Sequence, residues 1–201
     1  MIIVVISPES ADPREVPAME GFFAAGLERY HVRKTSWTEP ELEAWLRALP
    51  VGWRARIVIH QHHGLAGVLG LGGRHEKGDS QRAEGASRSC HDLPSLQRYL
   101  RSFGQVMFGP VFPSLTKEGY GPAADFPWGE LQAILKGRDD RASASVLAIG
   151  GVTAGRLERC SELGFDGAAV MGAVWNEADP VRAFAEILDA SGRLDAACHA
   201  T

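Results

Sequence analysis

The chain of 201 residues holds only three cysteines, Cys90, Cys160 and Cys198, odd in number and far apart. There is no CxxC pair, which excludes the common thiolate zinc sites and a disulfide framework, and a reducing, cytoplasmic setting is expected. No apolar run approaches the roughly 20 residues that span a bilayer, so no membrane role is expected. The opening Met1-Ile2-Ile3-Val4-Val5-Ile6 lacks a basic flank and stops at Ser7-Pro8. It reads as a first buried strand rather than a signal peptide. Basic residues are not in excess: the formal net charge of −4 gives no nucleic-acid surface. A GxGxxG after the first strand is missing as well, which weighs against a dinucleotide-binding fold.

What the chain does contain is an alternation of short apolar runs with helical segments, eight times over. The predicted strands are 2–6, 30–34, 56–60, 72–75, 86–89, 105–108, 145–149 and 167–170. The runs at 2–6, 57–59 and 146–149 are continuously apolar, as strands buried on both faces of a parallel sheet should be. Helix starts follow at Thr38, Asp92, Thr153 and Asp179-Pro180, each before a stripe of apolar residues, and Gly164 is placed as a helix stop. Only 62–69 leaves room for a helix between strands three and four, and 77–85 reads as an exposed loop. Eight β-α units without a break in composition predict a single (β/α)8 TIM barrel over residues 1–190, with a doubly wound open sheet as the competitor. Residues 191–201 are expected to form a frayed tail.

In such a barrel the active site lies where the strands end. Strand two ends in His31, Arg33 and Lys34, and alternation puts His31 and Arg33 on one face with Lys34 on the other. Strand three ends in His60-Gln61, strand four in His75-Glu76, and strand five in Ser89-Cys90-His91. Strand six feeds a Gly-Pro turn and a loop carrying Ser114, Thr116 and Lys117, whose hydroxyls, backbone N–H groups and ammonium can hold an anion. Strands seven and eight end in Gly150-Gly151 and Met171-Gly172, where barrels of this kind often hold a phosphate on backbone N–H groups. Thr153 is read as a helix cap beside them. His91 suits proton transfer at neutral pH, or a structural hydrogen bond. The run His60, His62, His63 invites a metal reading, yet no carboxylate stands close in sequence; it is read as packing, and no metal is assigned. Cys90 is read as packed.

The residues from Gly109 to Lys117 (GPVFPSLTK) resemble the GP-[IV]-FP-T-x-TK loop of the thiamine phosphate synthase and TenI superfamily. Ala148-Ile149-Gly150-Gly151-Val152 resembles its AIGGI segment, and 164–174 its GADGVAVVSAI segment, in matching order and spacing. The resemblance implies a TIM barrel acting on phosphorylated thiamine precursors, either as a synthase joining hydroxymethylpyrimidine diphosphate to thiazole phosphate with magnesium, or as a TenI-type tautomerase aromatising the thiazole phosphate. It places Ser114, Thr116 and Lys117 at the diphosphate end and Gly150, Gly151 and Gly172 at the thiazole phosphate. His31, Arg33 and His60 are then substrate-binding, and His91 the general acid/base.

Against the synthase pattern, the Q-x-R-x-K triplet reads His31-Val32-Arg33-Lys34-Thr35 and the Asn-Asp pair reads His60-Gln61. The magnesium aspartate falls near Ser80, leaving Asp79 or Glu76 as substitutes. The tautomerase is therefore the expected activity, without cofactor. The synthase with magnesium is the alternative, and a non-catalytic phosphate-binding or regulatory protein the second. The resemblance also allows a homodimer.

Overall fold

A computed structural model describes residues 1–77, 87–139 and 144–198. Eight parallel strands close into a barrel in chain order: β1 (Ile2–Ile6), β2 (Arg29–Val32), β3 (Ile57–Ile59), β4 (Gly73–Glu76), β5 (Ser87–Cys90), β6 (Gln105–Phe108), β7 (Ser145–Ile149) and β8 (Gly167–Val170). The closing register pairs Ile2 with Gly167 through Val5 with Val170, and this seam excludes the open sheet. Around the barrel lie α1 (Glu15–Ala24), α2 (Glu39–Ala48), α3 (Gly64–Leu69), α4 (Leu93–Tyr99), α5 (Trp128–Gly137), α6 (Leu157–Leu163), the short α7 (Gly172–Trp175) and α8 (Pro180–Cys198). The predicted loop at 77–85 lies outside the described residues except for Lys77, which is exposed.

Two hydrophobic layers hold the barrel. The outer one lies between strands and helices, where Phe22, Tyr30, Leu42, Leu46, Leu131, Leu157 and Phe184 are fully buried. Each such side chain stabilises the fold by about 1.5–3 kcal/mol of transfer free energy. The inner one is small: Val4, Ile6, Met107, Leu147 and Ala169.

The helix starts follow the local chemistry of their caps. Thr38 donates its backbone N–H to the Glu41 carboxylate at 2.8 Å, and Asp92 accepts the Ser95 N–H at 2.8 Å. Asp179 accepts from Val181 and Arg182 at 3.0 Å each. Thr153 departs from expectation: its side chain makes no cap hydrogen bond, and a 3-10 turn at Ala154–Arg156 intervenes before α6. The chain end departs too. Helix α8 runs through Gly192 to Cys198 instead of fraying, because Met1 ties it down. The Met1 ammonium donates to Asp195 at 2.6 Å and its carbonyl accepts from Ser191 at 3.1 Å.

Strand alternation divides the end of β2 as the pattern requires. Lys34 turns outward and is completely buried. Its ammonium donates to the carbonyls of Pro8 at 2.8 Å and Ser10 at 3.0 Å and to the Glu15 carboxylate, and Tyr30 donates to the same carboxylate at 2.9 Å. The three donors of the ammonium are thus all used, and they fasten the β1–α1 loop to the barrel.

Candidate active site

The C-terminal ends of the strands enclose a cavity of about 1020 Å³. Around it stand Arg33, His60, His91, Ser114, Thr116, Lys117, Gly150, Gly151 and Gly172. His31 is the expected site residue that does not reach it. It lies beneath, 1% exposed, with Nδ1 3.1 Å from Nε2 of His60. Lys77, His75, Ser89, Tyr120 and Asn176 also line the cavity and were not assigned a site role from sequence. Lys77 was legible in principle, since it falls two residues after His75 and so on the same face of the strand end.

Two cations meet at one wall of the cavity. Arg33 is half-buried and paired with Glu9, and its backbone N–H donates to Ser7 Oγ at 2.8 Å. Burial and the Arg33 guanidinium lower the pKa of Lys77. Two like charges that raise one another's cost at a cavity wall gain most from a bound anion.

The loop after β6 is organised by Ser114. Its Oγ accepts the N–H groups of Thr116 at 3.2 Å and Lys117 at 3.0 Å, and its own N–H donates to Tyr120 O at 2.7 Å. Those two backbone donors, expected to serve an anion, are therefore spent inside the loop. The Ser114 and Thr116 hydroxyls are themselves 3.4 Å apart and share one proton, so what remains for a ligand is the other hydroxyl proton and the exposed Lys117 ammonium.

Gly150 and Gly151 have positive φ, +90° and +65°, and a Cβ on Gly151 would lie 2.2 Å from Pro113 O. On Gly150 it would lie 2.8 Å from Pro110 Cα, and on Gly172 3.2 Å from Thr116 Cγ2. The glycines thus admit the β6 loop against the ends of β7 and β8, where Val111 and Phe112 donate to Ile149 O and Gly150 O at 2.9 and 3.1 Å. The loop and the glycine turns, distant in sequence, form one continuous wall.

His91 is exposed at the cavity rim, and its Nδ1 is hydrogen-bonded to the carbonyl of Gly109. A carbonyl only accepts, so Nδ1 carries a proton, and in the neutral ring the lone pair is on Nε2. Cys90 is buried, and desolvation pushes its thiol up to about 12, so no thiolate forms at neutral pH.

No family model matches the chain. A thiamine-phosphate synthase of Methylobacillus flagellatus is 30% identical over 193 residues, 88% of each chain. The chain belongs to the thiamine phosphate synthase and TenI superfamily. Its barrel superposes on a thiamine phosphate pyrophosphorylase from Bacteroides thetaiotaomicron with a TM-score of 0.78 at 23% identity, covering 96% of this chain and 98% of that one. On the corresponding protein of Pyrococcus furiosus the TM-score is 0.75 at 17% identity, covering 95% of each chain.

Magnesium, which the superfamily's synthases imply, can be tested against the oxygen donors present. The carboxylates at the cavity are Glu9, Asp12 and Asp92. Each is engaged: Glu9 by Arg33, Asp12 by Arg14 at 2.7 Å, and Asp92 by the cap of α4. Glu76, offered from sequence as a substitute, turns away from the cavity toward His63 at 3.7 Å and Arg74 at 4.0 Å. Asp79 lies outside the described residues. Among the described residues, no oxygen set fits the near-octahedral demand of magnesium.

Among the described residues no helix is long and apolar enough to cross a membrane.

Proposed function

We propose that this member of the superfamily is a thiamine phosphate synthase-type transferase, joining a pyrimidine carried as its diphosphate to a thiazole phosphate. The observation that carries this reading is the charge layout of the cavity. Arg33 and Lys77 face it from β2 and β4, Lys117 with two hydroxyls from the β6 loop, and glycine turns from β7 and β8. A diphosphate leaving group needs its developing charge met by cations, and Arg33, held by Glu9, stands at the cavity with the exposed Lys77 and Lys117. Relatives over most of the chain's length carry the synthase name, which supports this activity over the tautomerase.

The test is direct. The protein, both substrates and magnesium are incubated and thiamine phosphate is followed by chromatography; sustained formation is expected, and none at enzyme concentrations well above trace would refute the assignment. Lys117→Ala is expected to weaken inhibition by inorganic pyrophosphate by about 10- to 100-fold, the worth of one charge-assisted hydrogen bond. A Lys117→Ala enzyme inhibited as strongly as the parent would remove the loop from the anion site.

One observation favours a second reading, tautomerisation of thiazole phosphate: the fixed Nδ1–H of His91 leaves Nε2 as a base at the cavity rim. On this reading His91→Asn lowers turnover about 100-fold or more while thiazole-phosphate binding is unchanged. Turnover like that of the parent chain would dismiss it.

A further inference from the structure

The interior of this barrel is chemically divided. One side is filled by Val4, Ile6, Met107, Leu147 and Ala169, the apolar filling usual in such barrels. The other side, on β2 to β5, holds His31, His60 and His75 with the hydroxyls of Ser87 and Ser89. Three imidazoles are an expensive substitute for valine or isoleucine at buried positions, where unpaired polar atoms cost free energy.

The rings converge. One nitrogen from each lies within 4.8 Å of the other two. His60 and His75 are stacked with centroids 4.1 Å apart and planes at 19°, while His31 stands across both at 78° and 71°. From this geometry we infer that His31, His60 and His75 form a three-histidine site for a divalent transition metal of the zinc class, opening toward the cavity through His60 and His75.

Several observations separate this from mere packing. A closed hydrogen-bonded cluster would satisfy its nitrogens, yet Nδ1 of His60 is buried without a partner, in a residue only 6% exposed. Ser87 Oγ, 2.8 Å from Nδ1 of His75, is the second-shell support that a metal-bound imidazole needs, and the Ser89 hydroxyl, 2.8 Å from Nε2, is the contact that an ion on Nε2 displaces. The donor set is all imidazole, which suits zinc, copper, iron or nickel and not magnesium. Nitrogens around a tetrahedral zinc ion stand about 3.4 Å apart. Because an imidazole lone pair lies in its ring plane, binding an ion requires the stacked His60 and His75 rings to turn apart until both planes contain it, and it replaces the hydrogen bond between His31 and His60. Three protein ligands leave a fourth position open toward the cavity. The site is independent of which reaction the cavity performs.

Binding of the metal alone tests it. The chain is dialysed against a chelator, then titrated with Zn²⁺ by calorimetry and with Co²⁺ by visible absorption. One equivalent should bind, with the intense bands of a four-coordinate cobalt site, and millimolar Mg²⁺ should not compete. His60→Gln and His75→Gln are each expected to weaken binding about 100-fold or more. His62→Gln, on a partly exposed ring bonded to Trp37 O at 2.9 Å, should leave it unchanged. No saturable binding overturns the proposal, and so does binding that survives both buried substitutions or is lost with His62. If the buried variants do not fold, nitrogen NMR of the parent decides: Zn²⁺ must shift the resonances of three histidines, and unmoved resonances refute the site.

Discussion

Replacing Lys34 by methionine is expected to cost about 3–5 kcal/mol of folding stability, the effect of stranding one partner of a buried ion pair. Both members are out of water, Lys34 at 0% and Glu15 at 2% exposure. Without the ammonium, the Glu15 carboxylate keeps only the Tyr30 hydroxyl, and the carbonyls of Pro8 and Ser10 lose their donor. A second substitution, Glu15→Gln, should restore much of the loss by removing the uncompensated charge, so a double-mutant cycle by denaturant unfolding measures the coupling.

The pH dependence has a definite sign. Burial already raises the pKa of Glu15 above its ordinary 4.5 despite Lys34, and removing the cation raises it further. A carboxyl whose folded pKa is raised contributes most at acid pH and loses that contribution as pH rises through the folded value. The deficit of Lys34→Met relative to the parent should therefore shrink as pH falls toward 4.5 and be full at neutral pH. A deficit independent of pH would mean that the stranded Glu15 charge does not carry the effect, leaving the lost contacts of the ammonium with the Pro8 and Ser10 carbonyls and the Trp37 and Trp45 rings. Because the same ammonium holds the loop bearing Glu9 and Asp12 at the cavity, activity should fall along with stability.

Gly151→Ala is expected to cost about 2–4 kcal/mol, from a left-handed backbone conformation that resists a Cβ together with overpacking against main chain. At φ +65° the new methyl would sit 2.2 Å from Pro113 O and 2.9 Å from Phe112 Cβ. Backbone cannot rotate aside as a side chain can, so the β6 loop must move as a body. Ser114, Thr116 and Lys117 ride on that loop, so pyrophosphate affinity should drop together with the melting temperature. Gly155→Ala, where an added Cβ meets nothing within 4 Å, is the control and should change neither. An unaltered affinity in Gly151→Ala would show that the loop is positioned by something other than this contact.

The barrel itself was legible in the chain because its parallel strands are buried on both faces and so appear as continuous apolar runs at regular spacing. Caps at Thr38, Asp92 and Asp179 were legible because they act over three residues. Thr153 and the tail after Gly192 were misread for one shared reason. Neighbours in sequence do not decide either one: a 3-10 turn displaces the first, and Met1, at the other end of the chain, secures the second.

Sequence alone determined the eight alternating β-α units and put a polar loop and glycine turns at the strand ends, since those features are local in the chain; closure of the sheet into a barrel came from the pairing of its first and last strands. The tertiary structure decided three further things. It placed the loop on the glycines, because strands six, seven and eight are adjacent in the closed sheet. It gave Lys34, which strand alternation already turns away from the site, its partner Glu15. And it gathered His31, His60 and His75, spaced along three strands, into one buried cluster while leaving His62 and His63 outside it. The run of histidines that looked like a metal motif was not the cluster. Neighbouring strands of a barrel bring together residues some 15 to 30 positions apart, and no spacing rule within a single segment reaches that far.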